Sequence, residues 1–113
     1  MPTTRISKQS AGGVIKSLNA STAVGAGAAF DLQAGYTTFS VQVLDTASTN
    51  LEVNLQGSLD GTNWANLGST ALYTSTAGSI VKSTSSVPVQ YVRLNLITQN
   101  ASTAVAHGYI GFA

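Results

Sequence analysis

A chain of 113 residues without cysteine is one domain's worth of polypeptide, long enough to bury a core without disulfide staples. Only 8% of it is ionic, against about 25% in ordinary soluble domains. Its five lysines and arginines, net charge +1, make no basic cluster of the kind that releases counterions from phosphates, and no run approaches the ~20 apolar residues of a membrane helix, so neither nucleic acid nor membrane is expected as a partner.

Met1–Gly13 is polar, contains Pro2 and ends in Gly12-Gly13, which reads as an extended N-terminal arm spanning residues 1–13 ahead of a β domain spanning 14–113. Its basic residues have no apolar segment behind them, so no signal peptide is read and synthesis in the cytoplasm is expected. Val14–Leu18 reads as an edge strand. Asn19–Ala29 is rich in alanine and glycine without helical periodicity, and Thr22–Leu32 is taken as a loose strand. Gln33-Ala34-Gly35 reads as a turn. Tyr36–Leu44 then alternates, with Phe39, Val41 and Val43 on one face.

The clearest pattern is Leu51–Trp64, LEVNLQGSLDGTNW. Leu51, Val53, Leu55, Gly57 and Leu59 alternate with Glu52, Asn54, Gln56 and Ser58, the period of a strand with one buried and one wet face. Asp60-Gly61 supplies turn chemistry, and Trp64 is placed to cover the end of the hairpin. The polar connector Asp45–Asn50 suggests an antiparallel hairpin between Tyr36–Leu44 and Leu51–Leu59. Further strands are read at Ser79–Thr84, at Val89–Thr98 after the strand-starting Pro88, and at Thr103–Phe112; Val92, Leu94 and Leu96 share a face opposite Tyr91, Arg93 and Asn95. About 7–8 short strands separated by turns predict an all-β chain, a single antiparallel β-sandwich or jelly-roll-like domain.

Little in the chain suggests catalysis. His107 is the one histidine, and no glycine-flanked nucleophile stands in a position to use it. Asp31, Asp45, Glu52 and Asp60 are scattered, with turn or strand-end placements that suit local backbone bonding rather than paired acid chemistry. DGTN at Asp60–Asn63 lacks the acid spacing of a calcium loop, and Gly25–Ala29 lacks the context of a phosphate-binding loop. No enzyme activity, metal or cofactor is expected. Trp64 and Tyr73 are aromatic residues suited to stacking on a sugar, but aromatics this sparse fit packing at the edge of a core better than a defined platform. Near-zero net charge on a hydroxyl- and amide-rich surface favours association, which fits a protein packed against copies or partners.

Leu55–Leu67, LQGSLDGTNWANL, resembles a recurring segment of small bacteriophage virion proteins, with Tyr36–Val43 (YTTFSVQV) and Tyr91–Leu96 (YVRLNL) similar to the strands around it. The resemblance covers roughly residues 29–113, most of the chain, while SLDGTNW also resembles a strand-turn of discoidin-like, galactose-binding sandwiches. It implies a non-enzymatic virion part, above all a capsid decoration (cement) protein that forms homo-oligomers, commonly trimers, and bridges subunits of the major capsid protein. On that reading Pro2, Thr3, Thr4, Arg5, Ile6 and Lys8 are the partner-binding residues. The alternative is a carbohydrate-binding sandwich on a tail fibre or cell-surface protein, with Trp64 and Tyr73 stacking on the sugar.

Overall fold

The computed structural model describes residues 3–5, 12–45, 51–67, 80–99 and 105–113, with the backbone alone for 45, 51, 80–87, 98 and 99. The elements, in chain order, are β1 (Thr3–Arg5), β2 (Gly13–Ser21), β3 (Gly25–Ala26), β4 (Ala29–Asp45), β5 (Leu51–Ser58), β6 (Ala65–Asn66), β7 (Ile80–Gln99) and β8 (Ala106–Phe112). The chain is all-β, as the alternating sequence predicts, and no helix forms among the described residues.

One hydrogen-bonded path runs β2-β8-β4-β7-β5-β6, with β1 added in parallel to β4 and β3 added to β7. The path folds over on itself. In a flat sheet β2 and β7 would lie three strand spacings apart, about 14 Å. Instead the Ser17 hydroxyl in β2 accepts the Leu94 N–H of β7 at 2.9 Å. One core cluster accordingly takes Leu18, Phe39, Val41 and Ile110 from one half and Leu32, Val53, Leu55, Val92, Leu94 and Leu96 from the other. This is a sandwich whose two layers share the long strands β4 and β7.

The fold-over lies where those strands lose register. Pairing is Asp31↔Tyr91, then Tyr36↔Val89, then Thr38↔Thr84. Three sequence features produce the bend. Gln33 takes a positive φ of 59°, Pro88 lacks a ladder N–H, and Gly35 admits the proline ring, since a Cβ there would lie 2.5 Å from Pro88 Cβ. The predicted turn at Gln33–Gly35 is therefore a kink inside one continuous strand. Likewise Pro88 lies within β7 rather than opening a new strand, so the two strands expected at Ser79–Thr84 and Val89–Thr98 are one. The loose strand expected over Thr22–Leu32 resolves into two-residue β3 and the start of β4.

The predicted hairpin between Tyr36–Leu44 and Leu51–Leu59 does not form. The far half of β4 has both edges occupied, by β8 and by the first residues of β7, so β5 pairs with the second half of β7 and with β6. The predicted faces hold more closely. Phe39, Val41, Val43, Val53, Leu55, Val92, Leu94 and Leu96 are all buried, and β2 is an edge strand paired to β8. Leu59 departs from its predicted inward place and is 70% exposed, because the ladder stops at Ser58. On the expected wet face, Asn54 and Ser58 are buried.

Candidate functional site

The Leu59–Trp64 loop is organised by the Asp60 carboxylate. Asp60 Oδ1 accepts the N–H groups of Thr62 and Asn63, each at 2.8 Å, and the Ser58 hydroxyl at 2.8 Å. Asp60 Oδ2 accepts Asn63 Nδ2 at 2.7 Å, while Ser58 Oγ in turn accepts the Gly61 N–H at 2.9 Å. The Asn63 and Thr62 N–H groups, with Asn63 Nδ2 and the Ser58 hydroxyl, hold the carboxyl well below the usual carboxylate range. Gly61 has φ 76°, the turn conformation expected there, and its Cα lies against the Tyr91 ring, which would meet an added Cβ at 3.2 Å. These donors come from the loop itself and from Ser58 at the end of β5, so the carboxylate works as a brace between the two.

That braced loop delivers Trp64 onto the outer face of β5–β7. The indole does not cap the core. It packs under the Arg93 guanidinium, whose Cζ lies 4.3 Å from the ring centroid. Arg93 stands across the ladder from Gln56, which stands across from Asn66. Arg93 Nε donates to Gln56 Oε1 at 2.8 Å, and Gln56 Nε2 donates to Asn66 Oδ1 at 3.1 Å. Tyr91, two residues along β7, borders the same face. The loop also walls an open, apolar recess of about 410 Å³, lined by Gly57, Leu59, Ala65, Leu67 and Val89.

A second feature lies where the arm meets the sheet. Thr3, Thr4 and Arg5 are exposed and pair in parallel with Ala29, Phe30 and Asp31. Asp31 is only 4% exposed. Its carboxylate accepts Gln90 Nε2 at 2.8 Å, the Gln33 N–H at 2.9 Å and Arg5 Nε at 3.2 Å. Burial by itself raises the Asp31 pKa; the hydrogen bonds from Gln90, Gln33 and Arg5, with the Arg5 charge, outweigh it and leave the group below its ordinary value. A carboxyl whose folded pKa is depressed adds stability that is present above its unfolded pKa, about 3.9, and lost as pH falls through the folded value. Urea midpoints measured between pH 6 and pH 2.5 should therefore show a difference between the natural chain and Asp31→Asn that is largest near neutrality and closes in acid. A difference independent of pH would mean that Asp31 contributes through packing and not through its charge.

Of the residues predicted for partner binding, Thr3, Thr4 and Arg5 thus lie together on one sheet edge, while Pro2, Ile6 and Lys8 fall outside the described residues. Tyr73, predicted to stack beside Trp64, also falls outside them. His107 lies on β8, with Nδ1 accepting the Ala20 N–H at 3.4 Å. Among the described residues no group of three acidic or histidine side chains is placed to hold a metal ion. Arg93 and Gln56 were not singled out by sequence reasoning. Each sits at an outward position of an alternating strand, but their meeting depends on the β5–β7 register, which alternation does not specify.

No protein-family model matches the chain, and no curated protein matches it. Solved structures do. The SPBc2 prophage-derived protein YomS superposes with a TM-score of 0.63 at 11% identity, covering 90% of this chain and 93% of YomS. CpGH89CBM32-6, a CBM32 carbohydrate-binding module produced by Clostridium perfringens, superposes at 0.54 with 16% identity, covering 93% and 94%. A family 89 glycoside hydrolase from Clostridium perfringens, in complex with PUGNAc, matches at 0.54 and 13% identity over 87% of this chain but only 14% of its own length. What is shared is the fold. The chain has a β-sandwich fold that also occurs in a phage-derived protein and in carbohydrate-binding modules.

Proposed function

We propose that the chain is a non-enzymatic virion structural protein, a capsid decoration (cement) protein that binds the outer shell and bridges neighbouring capsid subunits. The observation that carries this reading is the arm. Its described part, Thr3–Arg5, is a strand laid on a sheet edge, held by a three-residue parallel ladder and one ion pair. A segment of that kind reaches from one compact body to another and adds main-chain pairing to a neighbour. The scarcity of charge fits the same role, because a surface of hydroxyls and amides does little to keep copies apart. Likeness of fold to a prophage-derived protein over 90% of the chain supports the setting. The chain works as a homo-oligomer, a trimer, on the virion. Repetition around a shell lets individually modest contacts add up.

Light scattering on the purified chain should give three times the chain mass, and the protein should co-sediment with undecorated capsids. Deleting residues 2–13 should lower the bound fraction at least about tenfold, by loss of the arm's share of the contact. Undiminished particle binding by the truncated chain would overturn the assignment of the arm.

A carbohydrate-binding module on a tail fibre or cell-surface protein is the second reading. It is favoured by Trp64, with Gln56, Asn63 and Asn66 presenting amides around it on a braced loop and strands. A glycan array probed with the intact chain and with Trp64→Ala tests it; no bound glycan, with the fold intact, removes it.

A further inference from the structure

The chain carries very few cations, and one of them is built into a frame. Arg93 is half-buried on the outer face of β7. Its guanidinium lies over Trp64, with Cζ 4.3 Å from the ring centroid, and Nε is committed to Gln56 Oε1 at 2.8 Å. Gln56 is itself fixed by Asn66, and Trp64 is fixed by the loop that Asp60 braces. Two of the described carboxylates are engaged elsewhere: Asp31 bonds Arg5, Gln90 and Gln33, and Asp60 bonds its own loop. Glu52 pairs across the ladder with Thr98, at the far end of β5 from the Trp64 loop. Among the described residues Arg93 therefore has no acidic partner, and its two terminal amino groups make no hydrogen bond.

We propose that Arg93, held between Trp64 and Gln56, is the acid-recognising group of a glycan-binding face, and that the ligand class is a carboxylate-bearing polysaccharide, a polymer of uronic acid. The proposal rests on the carbohydrate-binding reading and is independent of the capsid reading. With Nε occupied, the edge formed by the two terminal nitrogens remains, and that edge matches the two oxygens of a carboxylate in a parallel pair of hydrogen bonds. Stacking and the Gln56 bond fix the fork beforehand, so little side-chain freedom is lost when the ligand arrives. Around the fork the groups are neutral and suited to sugar hydroxyls. Asn66 spends its carbonyl on Gln56 and keeps its amino donors, while Asn63 spends its amino group on Asp60 and keeps its carbonyl. The Tyr91 ring borders them. Arg93, Gln56, Trp64 and Asn66 lie outside the apolar recess, which Asn63 borders, and an open face of this kind suits a chain lying across the strands rather than an enclosed small molecule. A nucleic acid is a poor fit to the same face, since its affinity needs many cations and the chain carries only five lysines and arginines.

Trp64 is the sole tryptophan, so its fluorescence reports on the site directly. Titration with a short oligogalacturonate should change the emission saturably, with affinity falling as salt rises. An oligogalactose of equal length should bind at least about tenfold more weakly, the difference a charge-assisted bidentate pair makes. Arg93→Gln should bring the acidic oligomer down to the level of the neutral one. Arg93→Lys, which keeps the charge and loses the fork, should fall between. Circular dichroism and urea midpoints of both variants confirm that the fold is kept, and should Arg93→Gln fail to fold, the Arg93→Lys titration decides alone. Equal binding of acidic and neutral oligomers, unchanged in the variants, overturns the role of Arg93 while leaving glycan binding standing. No response to any glycan overturns both. A response to a peptide ending in a free carboxylate, but not to the uronate, overturns it in favour of a peptide terminus.

Discussion

Phe39→Ala lowers the unfolding free energy by about 3–5 kcal/mol, the range for removing a buried aromatic ring from a core that cannot collapse around the gap. Phe39 is 1% exposed and belongs to the cluster where both layers meet. It sits on β4, opposite Phe112 of β8, and beside it Tyr36 and Phe112 stack edge-on with centroids 4.8 Å apart. The ladder partners of β4 on both sides hold the backbone in place, so the cavity stays open. Urea unfolding should show a lower midpoint with an unchanged slope, since the surface exposed on unfolding barely differs. Leu59→Ala is the matched control. Alternation in the sequence places Leu59 inward beside Leu55 and Val53, but the structure leaves it 70% exposed. Its removal should shift stability by no more than about 0.5 kcal/mol. A Leu59→Ala cost approaching that of Phe39→Ala would mean that Leu59 is covered in solution by another copy or partner.

The contrast between Phe39 and Leu59 marks how far the sequence could be read. Period-two alternation identifies strands and faces, because side chains of a pleated strand point alternately to its two sides. It therefore finds Phe39, Val41, Val43, Val53, Leu55, Val92, Leu94 and Leu96 correctly. It does not say where a ladder ends, which is why Leu59 is misplaced by one residue past Ser58. Nor does it say which strands pair. Proximity in sequence favours a hairpin of Tyr36–Leu44 with Leu51–Leu59, but β8, from the other end of the chain, takes that edge of β4. Gln33–Gly35 and Pro88 look like chain breaks when read singly; together they are one bend, because the kinks face each other across the same ladder. The candidate site follows the same rule. Asp60-Gly61 is legible as a turn because its chemistry is local. The Trp64–Arg93–Gln56 frame is not, since its members come from a loop and two strands whose register only the fold sets.

Ser17→Ala should cost about 2–4 kcal/mol, far more than a serine in a polar edge strand suggests, because each buried group stranded without a partner costs ~1–3 kcal/mol. Ser17 is 3% exposed. Its hydroxyl donates to the Ala28 carbonyl at 2.7 Å and accepts the Leu94 N–H at 2.9 Å. Its own carbonyl accepts the Ala28 N–H at 2.8 Å, and Gly27 donates its N–H to the Leu94 carbonyl at 2.8 Å. One small side chain thus ties β2 of one layer to β7 of the other through the segment between β3 and β4. Glycine is required at position 27 for the same reason, since an added Cβ would run into the Ser17 carbonyl oxygen. Alanine at 17 leaves the Leu94 N–H and the Ala28 carbonyl facing an apolar interior. Two measurements separate this from a general loss of packing. Urea unfolding gives the total, which should exceed that of Lys16→Ala on the outward side of the same strand. Amide hydrogen exchange should show the Leu94 N–H losing protection beyond the global change in stability, as its acceptor is removed. If Leu94 exchange simply follows the global change, a water molecule has taken the place of the hydroxyl, and the tie between the layers does not depend on Ser17.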